Sequence, residues 1–358
     1  SVNPAFLPEG DERAGEARVA DYLASLAART GLSVDFQEVF PNRRNLLVRL
    51  EAKGKVRRRV LLAPHLDTVG ASEFTPRLKS GRLYGRGACD TKGSVAAMFS
   101  VLANFAKNRG ALAETELLFA GLVDEENAQE GSRTLAASRL KADLAIVGEP
   151  TQLKVVTAHK GDLWLRLVTR GKAAHGARPE LGVNAVHEMA RVIDLLETKY
   201  ARALRKRKHP ILGQPTINVG AVRGGKQPNI VPDYCEIDID RRTIPGESDA
   251  AVQREILKFT RDAGLKAGLF NSKNSACPPM ETDPGLPAVR SFLQLAGQDQ
   301  PLGVDYFCDA AILSHAGIPS VVFGPGNIAQ AHTADEWISL ASLRGATALL
   351  GRFFESLR

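Results

Sequence analysis

The sequence predicts an α/β protein in which a mostly parallel sheet domain is interrupted by a smaller α+β insert. Three observations lead there. Apolar strand-like runs alternate with helical patterns over the first part of the chain, the signature of a parallel sheet with crossover helices. The texture changes near Lys160, where a separate β-α-β-β-α order begins. A further apolar run at Ser320–Phe323 then brings the chain back to the first sheet.

The elements follow in order. Residues 11–30 place Ala14, Ala17, Val19, Tyr22, Leu23 and Leu26 at helical spacing. Asn45–Leu50 and Val60–Ala63 read as buried strands, and Thr91–Ala106 as a helix with Val95, Met98, Phe99, Leu102 and Phe105 on one face. Glu116–Ala120 and Leu144–Val147 supply two more strands. In the insert, Leu163–Val168 alternates like a half-exposed strand. A helical stretch at Asn184–Ala203, strands at Thr216–Val219 and Tyr234–Ile239, and a helix at Asp249–Ala263 complete a sandwich-like unit. The predicted boundaries are 160–266 for the insert and 1–159 with 267–358 for the discontinuous main domain. Leu286–Ala296 reads as a helix of the returning chain.

Composition narrows the class. At 358 residues the chain exceeds one typical domain, and 44% hydrophobic with 24% charged residues is ordinary for a soluble globular protein. No apolar run approaches the ~20 residues of a membrane helix, so no membrane partner is expected. The chain begins at Ser1 rather than Met, which leaves room for a trimmed leader, and nothing after it has a signal-peptide pattern. Cys89, Cys235, Cys277 and Cys308 are scattered without a close pair, as expected of free thiols in a reducing, cytoplasmic setting. The net charge of +7 comes largely from Arg57–Arg59 and Arg205–Lys208. Without aromatic interleaving or a nucleic-acid module these read as solvated faces, and a basic envelope attracts anionic substrates.

The chemistry lies at the strand ends. His65 and Asp67 stand one residue apart in Pro-His-Leu-Asp-Thr-Val, just beyond the strand ending at Ala63. In an extended segment i and i+2 share a face, so His65 can ligate a metal while Asp67 bonds its other ring nitrogen. Asp90 precedes the helix at 91–106, as either a helix cap or a carboxylate bridging two cations. Glu125 and Glu126 are adjacent, so one can bind a metal while the other faces substrate as a general base. Glu149 follows the strand at 144–147, and His332 closes the series. Placement of His, Asp or Glu after nearly every strand, two imidazoles among several carboxylates, suits a pair of hydrolytic divalent ions. A Gly-x-Ser-x-Gly nucleophile elbow is absent from the sequence.

Taken together these residues resemble the acetylornithine deacetylase, succinyl-diaminopimelate desuccinylase and glutamate carboxypeptidase family of di-zinc hydrolases. The resemblance spans essentially the whole chain, and Ser1–Pro4 looks like an internal family motif that a helix would precede. It implies a zinc-hydrolase main domain and a dimerisation role for the insert, giving a homodimer. It implies two divalent ions, zinc first with cobalt or manganese as alternatives: His65 and Glu149 on one, Glu126 and His332 on the other, Asp90 between them. Asp67 would orient His65, and Glu125 would be the general base for attack by metal-activated water. Ala174–Pro179 matches the segment whose histidine, here His175, reaches a partner's site to stabilise the oxyanion. Asn229 and Arg242 match substrate-binding positions, with Arg241 as an alternative to Arg242, and Gly324 and Gly326 would offer N–H groups to a substrate carboxylate. A cis bond at Asp90–Thr91 is also implied. Thr91, Ser94 and Cys308–Ala310 depart from common family residues without touching a ligand. The expected reaction is hydrolysis of an N-acyl amino acid amide, of deacetylase or desuccinylase type. The alternatives are a carboxypeptidase or dipeptidase with the same centre, or a non-catalytic binding protein of the same fold.

Overall fold

The computed structural model describes residues 1–70, 75–107, 112–273 and 275–357. They fall into two compact units, Ser1–Ala158 with Glu281–Gly303 and Cys308–Arg358, and His159–Met280 with Val304–Phe307. The second unit therefore runs past the expected end at 266. The reason is a strand the sequence reading missed: Gly268–Asn271 pairs antiparallel with Gly161–Arg170 and completes a four-stranded sheet.

In the first unit the strands Thr115–Gly121, Arg58–Pro64, Leu144–Gly148 and Ser320–Val322 lie side by side and all parallel. Arg43–Leu50 and Ser33–Phe40 extend that sheet antiparallel at one edge. The parallel strands are apolar along their whole length because both faces are covered, and Val60, Leu61, Leu62 and Ala63 are fully buried. The helix Lys92–Lys107 buries Val95, Met98, Phe99, Leu102 and Phe105, the face its spacing predicts. The C-terminal helix Leu340–Glu355, which the sequence reading left unassigned, adds Phe353 and Phe354 to the same core. Phe353 stacks on Phe292 with ring centroids 4.5 Å apart. Parallel strands end on a common edge, and ligands of such sheets gather there.

In the second unit the sheet order is Thr216–Gly224, Tyr234–Thr243, Gly161–Arg170, Gly268–Asn271, all antiparallel. Register sets Ile237 opposite Leu167 and Ile239 opposite Leu165. Those four face the helices Ala185–Leu195 and Asp249–Asp262, forming a core with Met189, Val192, Val252 and Ile256. Asn184 and Ser248 cap the two helices with side-chain oxygens. The alternate residues turn outward: Trp164 and Arg166 lie opposite Asp240 and Asp238, with Arg166 paired to Asp238 at 2.7 Å.

Phe353 is wholly buried between aromatic neighbours, so Phe353→Ala removes a large side chain and leaves a cavity. A loss of about 3–5 kcal/mol is expected in chemical denaturation of the first unit. A change below 1 kcal/mol would show that the C-terminal helix does not share this core.

Candidate metal centre

His65 follows the strand Arg58–Pro64 and is almost fully buried. Its Nδ1 lies 3.1 Å from the Asp67 carbonyl oxygen and 3.3 Å from Asp67 Oδ1. Its Nε2 lies 3.1 Å from Asp90 Oδ1 and 3.9 Å from Glu149 Oε1. One face of the ring is thus committed to Asp67 and the other points into a carboxylate cluster. Asp67 is itself held: its carboxylate accepts from Asn3 Nδ2 at 2.8 Å and from the N–H groups of Glu125 and Glu126 at 3.2 and 3.1 Å.

Asp90 lies just before the helix Lys92–Lys107, yet its oxygens face two imidazoles. Oδ1 is 3.1 Å from His65 Nε2 and Oδ2 is 3.4 Å from His332 Nε2. The Asp90–Thr91 peptide bond is cis, as the resemblance implied. His332 Nε2 also lies 3.0 Å from Glu126 Oε2. The ligand atoms of His65, Asp90 and Glu126 fall within 4.8 Å of one another, and so do those of His65, Glu125 and Glu149. The six candidate side chains are therefore brought together. His332 remains more than half exposed, which places it at the solvent side of an otherwise buried cluster.

Local backbone explains the placement. Asp124 takes a left-handed conformation (φ 68°) that turns the chain immediately before Glu125 and Glu126; Asp is among the few residues that tolerate it. Gly148 has no room for a side chain: a Cβ there would come within 2.8 Å of Pro64 Cβ and 2.9 Å of Ser94 Cβ. That close approach lets the strand deliver Glu149 beside the end of its neighbour.

The electrostatics fit a cationic occupant. Among the described ion pairs, none brings Lys or Arg to Asp90, Glu125, Glu126 or Glu149; those of Asp90, Glu126 and Glu149 are with the imidazoles. Burial, then the Glu149 and Asp309 charges, pushes the Glu125 carboxyl well above the usual range; burial, then Asp90 and Asp309, does the same to Glu149. Burial opposes the shift of Asp90, but bonds to His332 and His65 hold it well below that range. Asp90 and Glu126 raise His332 to about 10, and burial is outweighed at His65 by Asp67 and Asp90. Crowded carboxylates with imidazole nitrogens form a donor set for first-row divalent ions, and such ions relieve the repulsion.

Several supporting residues had no sequence signal. Glu336 is buried, and its carboxylate accepts from the backbone N–H groups of Gly87, Cys89 and Asp90 at 2.7–2.9 Å and from Arg86 Nη1 at 2.8 Å. It fixes the loop that carries Asp90. Arg43 Nη2 reaches Asp124 Oδ1 at 3.1 Å and Glu16 Oε1 at 2.6 Å, anchoring the turn before Glu125. Asp309 is buried, accepts from Ser132 Oγ at 2.6 Å, and burial lifts its carboxyl to about 7.

Two expected donors are corrected. The Gly324 N–H is donated to Thr151 Oγ1 at 3.1 Å and the Gly326 N–H to Ser342 Oγ at 3.0 Å, so neither is offered to a substrate carboxylate. Gly324 serves close packing instead, since a Cβ there would meet Ser94 Oγ at 2.3 Å and Glu149 O at 2.5 Å.

Within the second unit, His175 bridges to Ile230, next to Asn229, and the Gly176 N–H is donated to Asn229 O at 2.7 Å. Both residues are exposed. His175 Nδ1 accepts from Ala177 N at 3.1 Å, which leaves Nε2 as the outward ring donor. Arg241 is wholly buried and paired with Glu247 at 2.7 Å, so it is a core residue. Arg242 is partly exposed, but its guanidinium already meets Asp240 through Nε at 2.9 Å and Nη2 at 3.0 Å.

The family model for peptidase family M20/M25/M40 matches residues 61–356. The chain belongs to that family. Acetylornithine deacetylase of Vibrio cholerae is 30% identical over 98% of this chain and 93% of its own length. Acetylornithine deacetylase of Edwardsiella ictaluri is 33% identical over 95% and 89%. Among solved structures, aminopeptidase PepT of Bacillus cereus superposes with a TM-score of 0.79 at 22% identity, covering 96% of this chain and 93% of that one. A metallo-carboxypeptidase of the M20 family from Sulfolobus solfataricus gives 0.73 at 18% identity, over 96% and 94%. As a member of the M20/M25/M40 family the protein is a hydrolytic enzyme acting on amide or peptide bonds. No helix among the described residues is long and apolar enough to cross a membrane.

If Asp67 sets the tautomer and orientation of His65, Asp67→Asn lowers zinc affinity about 10- to 100-fold in calorimetric titration. Unchanged affinity would remove Asp67 from the support of the centre.

Proposed function

We propose that the protein hydrolyses the amide bond of an N-acyl amino acid, as a deacetylase or desuccinylase. The observation that carries the reading is Asp90, with one carboxylate oxygen toward His65 and the other toward His332, among three further carboxylates. Such an arrangement suits a bridging ligand between two cations. His65 and Glu149 would hold one ion, Glu126 and His332 the other. The ions are read as zinc, with cobalt or manganese acceptable to the same donors. When bound they supply Lewis-acid polarisation of the amide carbonyl and lower the pKa of water.

The chain's own residues do the rest. Glu125 takes the proton of the attacking water at its carboxylate and returns it to the leaving amine. Asp67 keeps the His65 ring in one tautomer. His175 of a partner subunit donates from Nε2 to the developing oxyanion, in a homodimer formed through the insert at about 160–266. Asn229 and Arg242 orient the substrate. Support for the substrate class comes from the relatives named acetylornithine deacetylase, and a cytoplasmic location suits the buried free thiols of Cys89, Cys235 and Cys308. The solved structures named as aminopeptidase and carboxypeptidase keep a peptidase reading in view, with the same bond type and a different acyl side.

Two measurements test this. Hydrolysis is followed across N-acetyl and N-succinyl amino acids and dipeptides, after chelation and again with zinc or cobalt restored. Metal-restored cleavage of an N-acyl amino acid supports the reading; cleavage of dipeptides alone replaces it with the peptidase one. Glu125→Gln is expected to cut kcat by about 100-fold or more while metal content stays near that of the parent. Parallel loss of metal would make Glu125 a ligand rather than the base.

A further inference from the structure

The second unit carries a groove at one edge of its sheet that the proposed reaction does not use. Gly268–Asn271 is the edge strand there, pairing with Gly161–Arg170 on one side only. Its register begins at Gly268 opposite Val168, so Arg170 runs on past the end of its four-residue neighbour. A groove of about 520 Å³ lies at this step, between the sheet edge and the last turns of the helix Asp249–Asp262. Val168, Leu265 and Phe270 give it apolar walls, and Phe270 keeps 57% of its surface exposed. The Phe270 ring lies over Gly268, where a Cβ would meet its Cε2 at 3.3 Å.

Three cations, Arg170, Arg261 and Lys266, line the same groove, and all three are exposed. Arg170 lies 5.5 Å from the centre of the Tyr234 ring. Among the described residues no carboxylate pairs with any of the three, and no acidic residue lines the groove. Asp262, next to Arg261 in the chain, is taken by Lys258. The groove therefore combines apolar walls with positive charge that nothing described here neutralises.

An edge strand leaves backbone N–H and C=O groups pointing away from its sheet, a template for another strand. The cations decide which strand. A second copy pairing edge to edge brings the same three cations, in a chain of net charge +7, and meets like with like. An acidic segment meets unpaired positive charge, and its alternate apolar side chains find the walls of the groove.

We propose that this edge docks an extended acidic segment of a partner protein, which adds to Gly268–Asn271 as a further strand. Main-chain hydrogen bonds give such a strand its register, and side-chain contacts give it specificity. Four residues of edge set a contact roughly 14 Å long.

Fluorescence anisotropy tests this with a fluorescein-capped hexapeptide of alternating Glu and Leu, and with its Gln–Leu and Lys–Leu counterparts. The parent enzyme is expected to bind the Glu–Leu peptide about 10-fold more tightly than either counterpart, and less tightly as salt rises. Charge reversal by Arg261→Glu together with Lys266→Glu is expected to weaken that binding about 10-fold or more. Both side chains are exposed and stand outside the candidate metal centre, so hydrolysis is expected to stay at the parent level. A Glu–Leu peptide N-methylated along its backbone keeps its charges and loses its N–H donors, and is expected to bind more weakly. No binding of the Glu–Leu peptide, equal or tighter binding of a counterpart, or binding untouched by charge reversal overturns the proposal. Undiminished binding of the N-methylated peptide overturns strand addition.

Discussion

Asp90 is the constraint around which the first unit is organised. A buried carboxylate is costly unless it is bonded, and the bonds that reach Asp90 come from far along the chain. His65 lies against one oxygen and His332 against the other, while Glu336 takes the N–H of Asp90 and of its neighbours. The loop from Gly85 to Thr91 is thus pinned by the segment 332–336. That segment follows the strand Ser320–Val322, which pairs parallel with Leu144–Gly148. Sheet order, loop and centre are one structural statement.

The parts of this arrangement readable from sequence are those written in periodicity. Val60–Ala63 and Leu144–Val147 are apolar without alternation because both faces of a parallel sheet are covered, and the residues after them emerge on one edge. The polar pins were not readable. Asn3 reaches Asp67 across 64 positions and Glu336 reaches Asp90 across 246, and no local pattern announces such partners. Gly324 and Gly326 were misread for a related reason. A glycine that admits a close neighbour and a glycine that presents an N–H look alike in sequence, and only the Thr151 and Ser342 hydroxyls distinguish them.

In the second unit alternation was the informative signal, because one face of its antiparallel sheet is packed and the other open. It separates Arg241 from Arg242: adjacent strand residues point to opposite faces, so Arg241 enters the core with Glu247 while Arg242 joins the outward cluster. It did not reveal Gly268–Asn271, a four-residue strand with little alternation to show. Lys273 lies two residues beyond that strand, and its neighbours Asp162, Trp164 and Phe307 come from two other segments. A lysine in a loop carries no mark of its ring contacts until the fold is known.

The same burial explains both the cost and the use of the centre. Without cations, Glu125 and Glu149 hold protons more tightly than carboxyls in water, because desolvation and neighbouring negative charge disfavour ionisation. Two divalent charges among these groups reverse the balance, since a bound cation is the largest local charge and sets the proton affinities around it. Glu149, a proposed ligand, would then be ionised outright. Glu125, the proposed base, would keep a proton affinity balanced between its buried setting and the nearby positive charge. A base serves best when that affinity lies near the working pH, where it both takes and returns a proton. On that reading, the crowding that makes this cluster unfavourable by itself would let Glu125 and Glu149 do different work, one as base and the other as ligand.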